Sequence, residues 1–277
     1  MSDPTSIAVL QMNTGIDPDA NARIIAAGME RAAGEGAAMV FTPEMALLLD
    51  RNRQRAAEHV VPEANNRQLA HLRECAARFG IWLALGSLSV QRLEDERWAN
   101  RSLVIDDKGE IRARYDKIHM FDVSLASGES WRESAQYAPG ENVVVVPDTP
   151  VGRLGLAVCY DIRFPALFEA LGRAKCDCIA IPAAFTVPTG EAHWHLLQRA
   201  RAVEASAYVV AAAQVGEHED GRKTYGHSLV IDPWGEVMLD MGASPQDQPG
   251  LATIDPLRIT EVRAQLPSLA NRRDLPR

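Results

Sequence analysis

GLAVCYDIRFP, residues 155–165, decides how the rest of the chain is read. Residues 153–158 read as a buried strand. Cys159 stands at its end, and residues 164–174 read as a helix that Asp161 is placed to cap. A sulfur in such a strand-to-helix turn lies near helix N–H groups and their partial positive charge, which favours thiolate over thiol. Free cysteine is also among the most buried residue types, so plain packing is the competing reading of Cys159 taken alone.

The surrounding pattern is α/β. Residues 6–12 (SIAVLQM) read as a strand. Asp17-Pro18-Asp19 opens a helix with an N-cap, a first-position proline and an acid in the first turn. Ile24, Ile25, Gly28, Met29 and Ala32 fall on one face of that helix, Gly34 and Gly36 end it, and residues 37–42 form the next strand. This is a β-α-β unit with parallel strands. Residues 65–79 are an amphipathic helix and 81–87 a strand; 101–105 and 111–115 flank a hairpin turn at Asp107-Lys108-Gly109. Residues 119–141 lack periodicity, and a loop of that length in a compact domain is usually functional. Beyond Cys159, residues 177–182 form a strand. Residues 192–205 form a helix with Leu196, Leu197, Ala200 and Val203 on one face, and strands follow at 208–213, 227–231, 237–239 and 251–254 before a last helix at 256–266. No linker, composition shift or repeat interrupts this order, so residues 1–277 are expected to form a single domain.

Composition narrows the function. Of 277 residues, 47% are hydrophobic and 24% charged, with a net charge of −8, which argues against a nucleic-acid partner. A local arginine can still hold an anionic substrate. The four cysteines form no disulfide framework, and Cys176 and Cys178 enter an apolar strand as packing residues. The apolar stretch at residues 7–10 is too short for a signal sequence and no run suits a membrane span, so a cytoplasmic location is expected.

Three ionisable residues, Glu44, Lys117 and Cys159, fall at the ends of three apolar strands, where α/β sheets place ligands. A thiol nucleophile needs a base, and attack at a carbonyl or nitrile carbon needs positive charge beside the developing oxyanion. Separately, Glu44 could be a loop acid and Lys117 a surface lysine. A Cys–His pair with His119, His193, His195 or His227 also stays open. Phe185 and Thr186, at the end of a further strand, are candidate pocket walls by the same strand-end rule.

The stretches FTPEMA (41–46), RYDKIHMFDV (114–123), GLAVCYDIRFP (155–165), FTVPTGEAHWHLLQRARAVE (185–204), GHSLVIDPWGEV (226–237) and RAQLPSLANRRDLP (263–276) together resemble the nitrilase superfamily of carbon–nitrogen hydrolases. The resemblance is to its Nit branch of ω-amidases and deaminated-glutathione amidases. It implies a four-layer α-β-β-α sandwich and a homodimer joined through the helix after Cys159 and the 192–205 helix. It implies Glu44 as general base, Lys117 as transition-state stabiliser, Cys159 as nucleophile and the Tyr160 N–H as second oxyanion donor. Glu133 matches the family's second glutamate, with Glu129 as its competitor. Arg163 matches an arginine that binds the substrate carboxylate in related carbamoyl hydrolases; an ion pair at the helix start is the alternative. The implied reaction is hydrolysis of a small carboxylated amide to acid and ammonia through a thioester, with no metal or organic cofactor. The alternatives are nitrile or carbamoyl hydrolysis, or a non-catalytic scaffold.

Overall fold

Asp17 starts the first helix as its sequence requires: its carboxylate accepts the N–H groups of Asp19 and Ala20, and Pro18 takes the first helical position. This helix, α1 (Pro18–Gly34), joins β1 (Thr5–Val9) to the parallel strand β2 (Met39–Phe41). The computed structural model describes residues 3–95, 97–124, 128 and 130–273. After β2 come α2 (Arg53–Ala57), α3 (Arg67–Phe79), β3 (Trp82–Gln91), β4 (Trp98–Ile105) and β5 (Ile111–Asp116). Within the segment read as a loop stands a small hairpin, β6 (Asp122–Ser124) with β7 (Ser130–Arg132). Then follow β8 (Val145–Thr149), β9 (Gly152–Leu156), α4 (Pro165–Arg173), β10 (Cys178–Ala180), α5 (Val187–Ala205) and β11 (Tyr208–Ala211). A second small hairpin, β12 (Val215–Glu217) with β13 (Lys223–Tyr225), went unread in the sequence because its strands are three residues each. The chain ends through β14 (Leu229–Ile231), β15 (Val237–Asp240), β16 (Gly250–Ile254), α6 (Pro256–Gln265) and α7 (Ser268–Asn271).

Two six-stranded sheets carry the fold, in the orders β16-β1-β2-β3-β4-β5 and β15-β14-β11-β10-β9-β8. Strand alternation sets the layers. Ile7, Val9, Met39, Phe41 and Val104 point to the second sheet and share its core with Leu154, Leu156, Ala180 and Val210. The alternate residues Ala8, Val40, Leu83, Leu85 and Leu103 pack with Ile25, Met29, Leu69 and Leu72 of α1 and α3. With α4 and α5 on the far side of the second sheet, this is the expected four-layer α-β-β-α sandwich.

Two helix faces differ from expectation. Ile24 is 51% exposed, at the edge of the buried stripe of α1. In α5 most of the expected stripe turns outward: Leu196 is 67% and Val203 41% exposed and Ala200 is exposed, while Leu197 packs partly against the core. The inward face is Trp194, Gln198, Arg201, Ala202 and Ala205. Arg201 can face inward there because it finds partners: its Nε donates to Ile162 O at 2.8 Å and its guanidinium lies 4.9 Å from the Phe168 ring, whereas the Gln198 amide is buried with no partner among the described residues.

Candidate active site

Glu44 is aimed by its neighbours. A Cβ on Gly86 would lie 2.0 Å from Thr42 O and 2.4 Å from Pro43 O, so glycine lets residues 42–45 lie directly against β3. β3 breaks its register there, between Leu85 and Leu88. Ser87 Oγ accepts the Met45 N–H at 2.9 Å, and Met45 takes a φ of +55°. The Glu44 carboxylate then accepts Lys117 Nζ (2.9 Å) and Asn100 Nδ2 (2.9 Å) on Oε1, and the Ala184 N–H (3.0 Å) on Oε2.

Lys117, just past β5, is 2% exposed and held between two carboxylates. Its Nζ also meets Glu133 Oε2 at 2.9 Å and Oε1 at 3.1 Å. Glu133 is fixed in turn by the Phe121 N–H (2.7 Å) and Asn100 Nδ2 (3.1 Å). Its competitor Glu129 lies outside the described residues.

Cys159 has a φ of +51°, and its N–H bonds Pro182 O at 2.9 Å. Backbone strain of this kind gathers at functional sites. The thiol lies beside the Glu44 carboxylate, near enough for each to bear on the other's ionisation. Burial and the Glu44 charge push this thiol well above the ordinary cysteine value, against the opposing pull of Lys117. The expectation of a thiolate stabilised by a helix N-terminus is therefore corrected: Cys159 rests as a thiol beside a carboxylate. Burial works to raise the Glu44 carboxyl, but Lys117, the Cys159 thiol and Asn100 outweigh it and hold Glu44 below the usual range. Burial works to lower Lys117, but Glu133 and Glu44 outweigh it and raise the ammonium well above its ordinary value.

Asp161 does not cap α4. Its buried carboxylate faces backward, accepting Tyr115 Oη–H (2.6 Å), the Val158 N–H (2.9 Å) and the His119 N–H (3.0 Å), with His119 Nδ1 at 2.7 Å. Val158 precedes a tight turn over Cys159–Arg163, and α4 begins only after it, with Pro165 at its first position. The four histidines considered as bases are engaged elsewhere: His119 on Asp161, His193 near Arg163 at 3.4 Å, and His195 and His227 on Asp240. His195, His227 and Asp240 bring three donor atoms within 4.8 Å of one another, outside the cavity lining.

A cavity of about 230 Å³ opens onto Glu44, Lys117, Glu133 and Cys159, and Tyr160, Arg163, Phe185 and Thr186 also line it. The Tyr160 N–H makes no hydrogen bond among the described residues. Arg163 makes no ion pair among them either, against the structural alternative for this residue; its guanidinium lies 5.4 Å from the Phe185 ring and 5.9 Å from the Tyr160 ring. Asn100 and the Ala184 N–H were not foreseen. An asparagine inside an apolar strand, where asparagine is depleted, is the signal that marks Asn100.

The carbon–nitrogen hydrolase family matches residues 6–264 of the chain. The chain belongs to this family. As a member of the carbon–nitrogen hydrolase family it is a hydrolytic enzyme of the amidase kind. It is 40% identical to the deaminated glutathione amidase of Yersinia enterocolitica over 97% of this chain and 93% of that one. It is 37% identical to the human deaminated glutathione amidase over 96% of this chain and 82% of the other. Among solved structures, the NitFhit protein of C. elegans superposes with a TM-score of 0.89 at 36% identity, covering 99% of this chain and 66% of that one. Saccharomyces cerevisiae Nit3, of branch 10 of the nitrilase superfamily, superposes with 0.87 at 28% identity, covering 99% and 98%.

Proposed function

We propose that this hydrolase cleaves a small carboxylated amide, of the kind named for its deaminated-glutathione relatives, through a thioester on Cys159. The observation that carries the reading is one carboxylate, Glu44, beside both the Cys159 thiol and the Lys117 ammonium inside a cavity. An ionised carboxylate beside a neutral thiol is a base with its proton donor in place. As sulfur attacks the amide carbon, its proton passes to Glu44. The oxyanion forms against Lys117 and the Tyr160 N–H. Glu133, bound to Lys117 through both oxygens, positions the lysine. The C–N bond then breaks, Glu44 returns the proton to the leaving nitrogen, and the thioester remains. Water loses a proton to Glu44 as it attacks; the C–S bond breaks, and the proton goes back to the thiol. Arg163, free of an acidic partner among the described residues, binds the substrate carboxylate.

One expectation changes with the substrate. Deaminated glutathione is a secondary amide, so its cleavage releases a dipeptide amine and a 2-oxo acid; ammonia comes only from primary amides. The test follows 2-oxo acid, amine and ammonia separately, with Cys159→Ala as the blank. Cys159-dependent release of 2-oxo acid from deaminated glutathione supports the reading. Release only from nitriles or carbamoyl compounds overturns it. Arg163→Leu should raise KM for an ω-carboxylate amide by at least about tenfold more than for a neutral short amide; equal changes would exclude Arg163 as the anchor.

The reading includes a homodimer joined through α5, supported by the outward Leu196 and Val203 beside the half-exposed Trp234. The four unpaired cysteines suit a reducing, cytoplasmic setting. No helix among the described residues is long and apolar enough to cross a membrane.

A further inference from the structure

The cavity continues past the reacting groups into a region rich in arginine. Arg51, Arg53, Arg132 and Arg222 line it together with Trp131. In a chain of net charge −8 this is a local reversal of sign. Acids cancel it only in part. Asp50 is engaged by both edges of Arg55, at 2.6 and 2.9 Å. Arg51, Arg53 and Arg132 make no ion pair among the described residues; Arg53 and Arg132 donate only to backbone carbonyls and Ser124. Arg222 uses one nitrogen, Nη2, on Asp220 at 3.2 Å. Its Nε is buried with no partner, and so is Nε1 of the adjacent Trp131. Two unmet donors against one cavity wall call for an acceptor brought by a ligand.

A run of rings links this region to Arg163. The Arg163 guanidinium lies 5.9 Å from the Tyr160 ring, Tyr160 lies 5.1 Å from Phe121, and Phe121 lies 6.3 Å from Trp131. The guanidiniums of Arg222 and Arg51 lie 4.9 and 5.7 Å from the Trp131 ring. The wall is thus aromatic in the middle and cationic at both ends. Arg163 is four residues from the nucleophile, whereas the Arg222 end belongs to the loop between β12 and β13 and to the segment after Glu44.

Resting on the amidase reading, we infer that Arg222 and Arg51 form a second carboxylate anchor, which holds the amine side of the scissile bond. The acyl part carries a carboxylate to Arg163, and the departing amine carries a second carboxylate to Arg222 and Arg51. Guanidinium recognition of carboxylate is charge-assisted and two-pronged, and Arg222 has donors left for it. The second anchor acts on the leaving group, so it selects among amides sharing one acyl part.

The experiment uses three amides of one dicarboxylic acid: the primary amide, an amide of a glycine-ended amine with a free carboxylate, and the same compound with that carboxylate capped as carboxamide. The quantity read is the ratio of kcat/KM for the carboxylate form to that for the capped form. The wild-type enzyme should show a ratio of at least about tenfold, and Arg222→Gln and Arg51→Gln should each pull it toward one, chiefly through KM. Arg51 is exposed, so its variant answers the question if loss of the Arg222–Asp220 pair disturbs folding. A wild-type ratio near one, or a ratio preserved in both variants, overturns the second anchor while Cys159-dependent turnover keeps the amidase reading. No Cys159-dependent turnover of any of the three overturns both.

Discussion

The two halves of the molecule have the same plan and different contents. Each sheet holds three parallel strands, β1-β2-β3 in one and β9-β10-β11 in the other. Each triplet has one antiparallel neighbour on one side, β16 or β8, and two on the other, β4-β5 or β14-β15. Helices α1 and α3 connect the first triplet as α4 and α5 connect the second. The chemistry is divided between them. The first half gives Glu44 after β2 and Lys117 after β5; the second gives Cys159 after β9. After β10, where the first half has Glu44, the second has Ala183 and Ala184, and the Ala184 N–H donates to Glu44. A repeated scaffold thus supplies matching strand ends, and side-chain choice alone makes one a base and its counterpart a backbone donor. The helix layers diverge too. α3 buries Leu69, Leu72, Cys75 and Ala76, while α5 turns Leu196 and Val203 to solvent.

The division of labour is tested most sharply by Glu44→Gln. It alters no residue of the second half and should lower kcat by about 10²–10⁴-fold, measured by single-turnover hydrolysis. A loss below tenfold would move the base elsewhere. The contrast between helix layers comes next. Leu72→Ala should cost about 2–5 kcal/mol of unfolding free energy in denaturant titration. Leu196→Asp should leave the protomer's fold intact and halve the mass seen by sedimentation; an unchanged mass would exclude α5 as the joint. A smaller effect concerns acid. Glu44 sits below 4.5, so the stability of its ionised form is present above 4.5 and is lost as pH falls through the lower folded value. Lys117 sits above 10.5, so its contribution holds at lower pH and is lost only as pH rises past its raised value. Activity limited by this pair should be level between, and a pH–rate profile with a limb near 7 would point to a histidine. The smallest expected effect is none at all: the thiolate absorbance of wild type minus Cys159→Ala should be zero at pH 8. A thiolate signal there would restore the helix-terminus picture.

Most of the sandwich was legible because its strands are short apolar runs bounded by Gly, Pro and Asp, and α1 and α3 carry their caps in the sequence. The reacting residues were legible as ionisable groups at strand ends. Their mutual placement was not, because no local pattern reports that Asn100 of β4 bridges Glu44 and Glu133. The thiol's protonation also escaped, since it depends on a carboxylate from the other half of the chain. Asp161 misled for a related reason: an acid ahead of a helix favours a cap, but Tyr115 and His119 arrive from the first half and claim its oxygens. In α5, periodicity correctly found an apolar stripe. Which way the stripe faces was set by Arg201 finding Ile162 O and Phe168 on the inside, a tertiary fact.

Asp161 lies two residues beyond Cys159, and Tyr115 lies two residues before Lys117, so their 2.6 Å bond crosses between the halves right beside the reacting groups. Two sheets pressed together by apolar side chains can slide a little, since such contacts have no preferred direction. The rivet at Tyr115–Asp161 removes that freedom at the one place where it matters. The spacing of lysine and sulfur thereby becomes a local dimension, set over a few bonds.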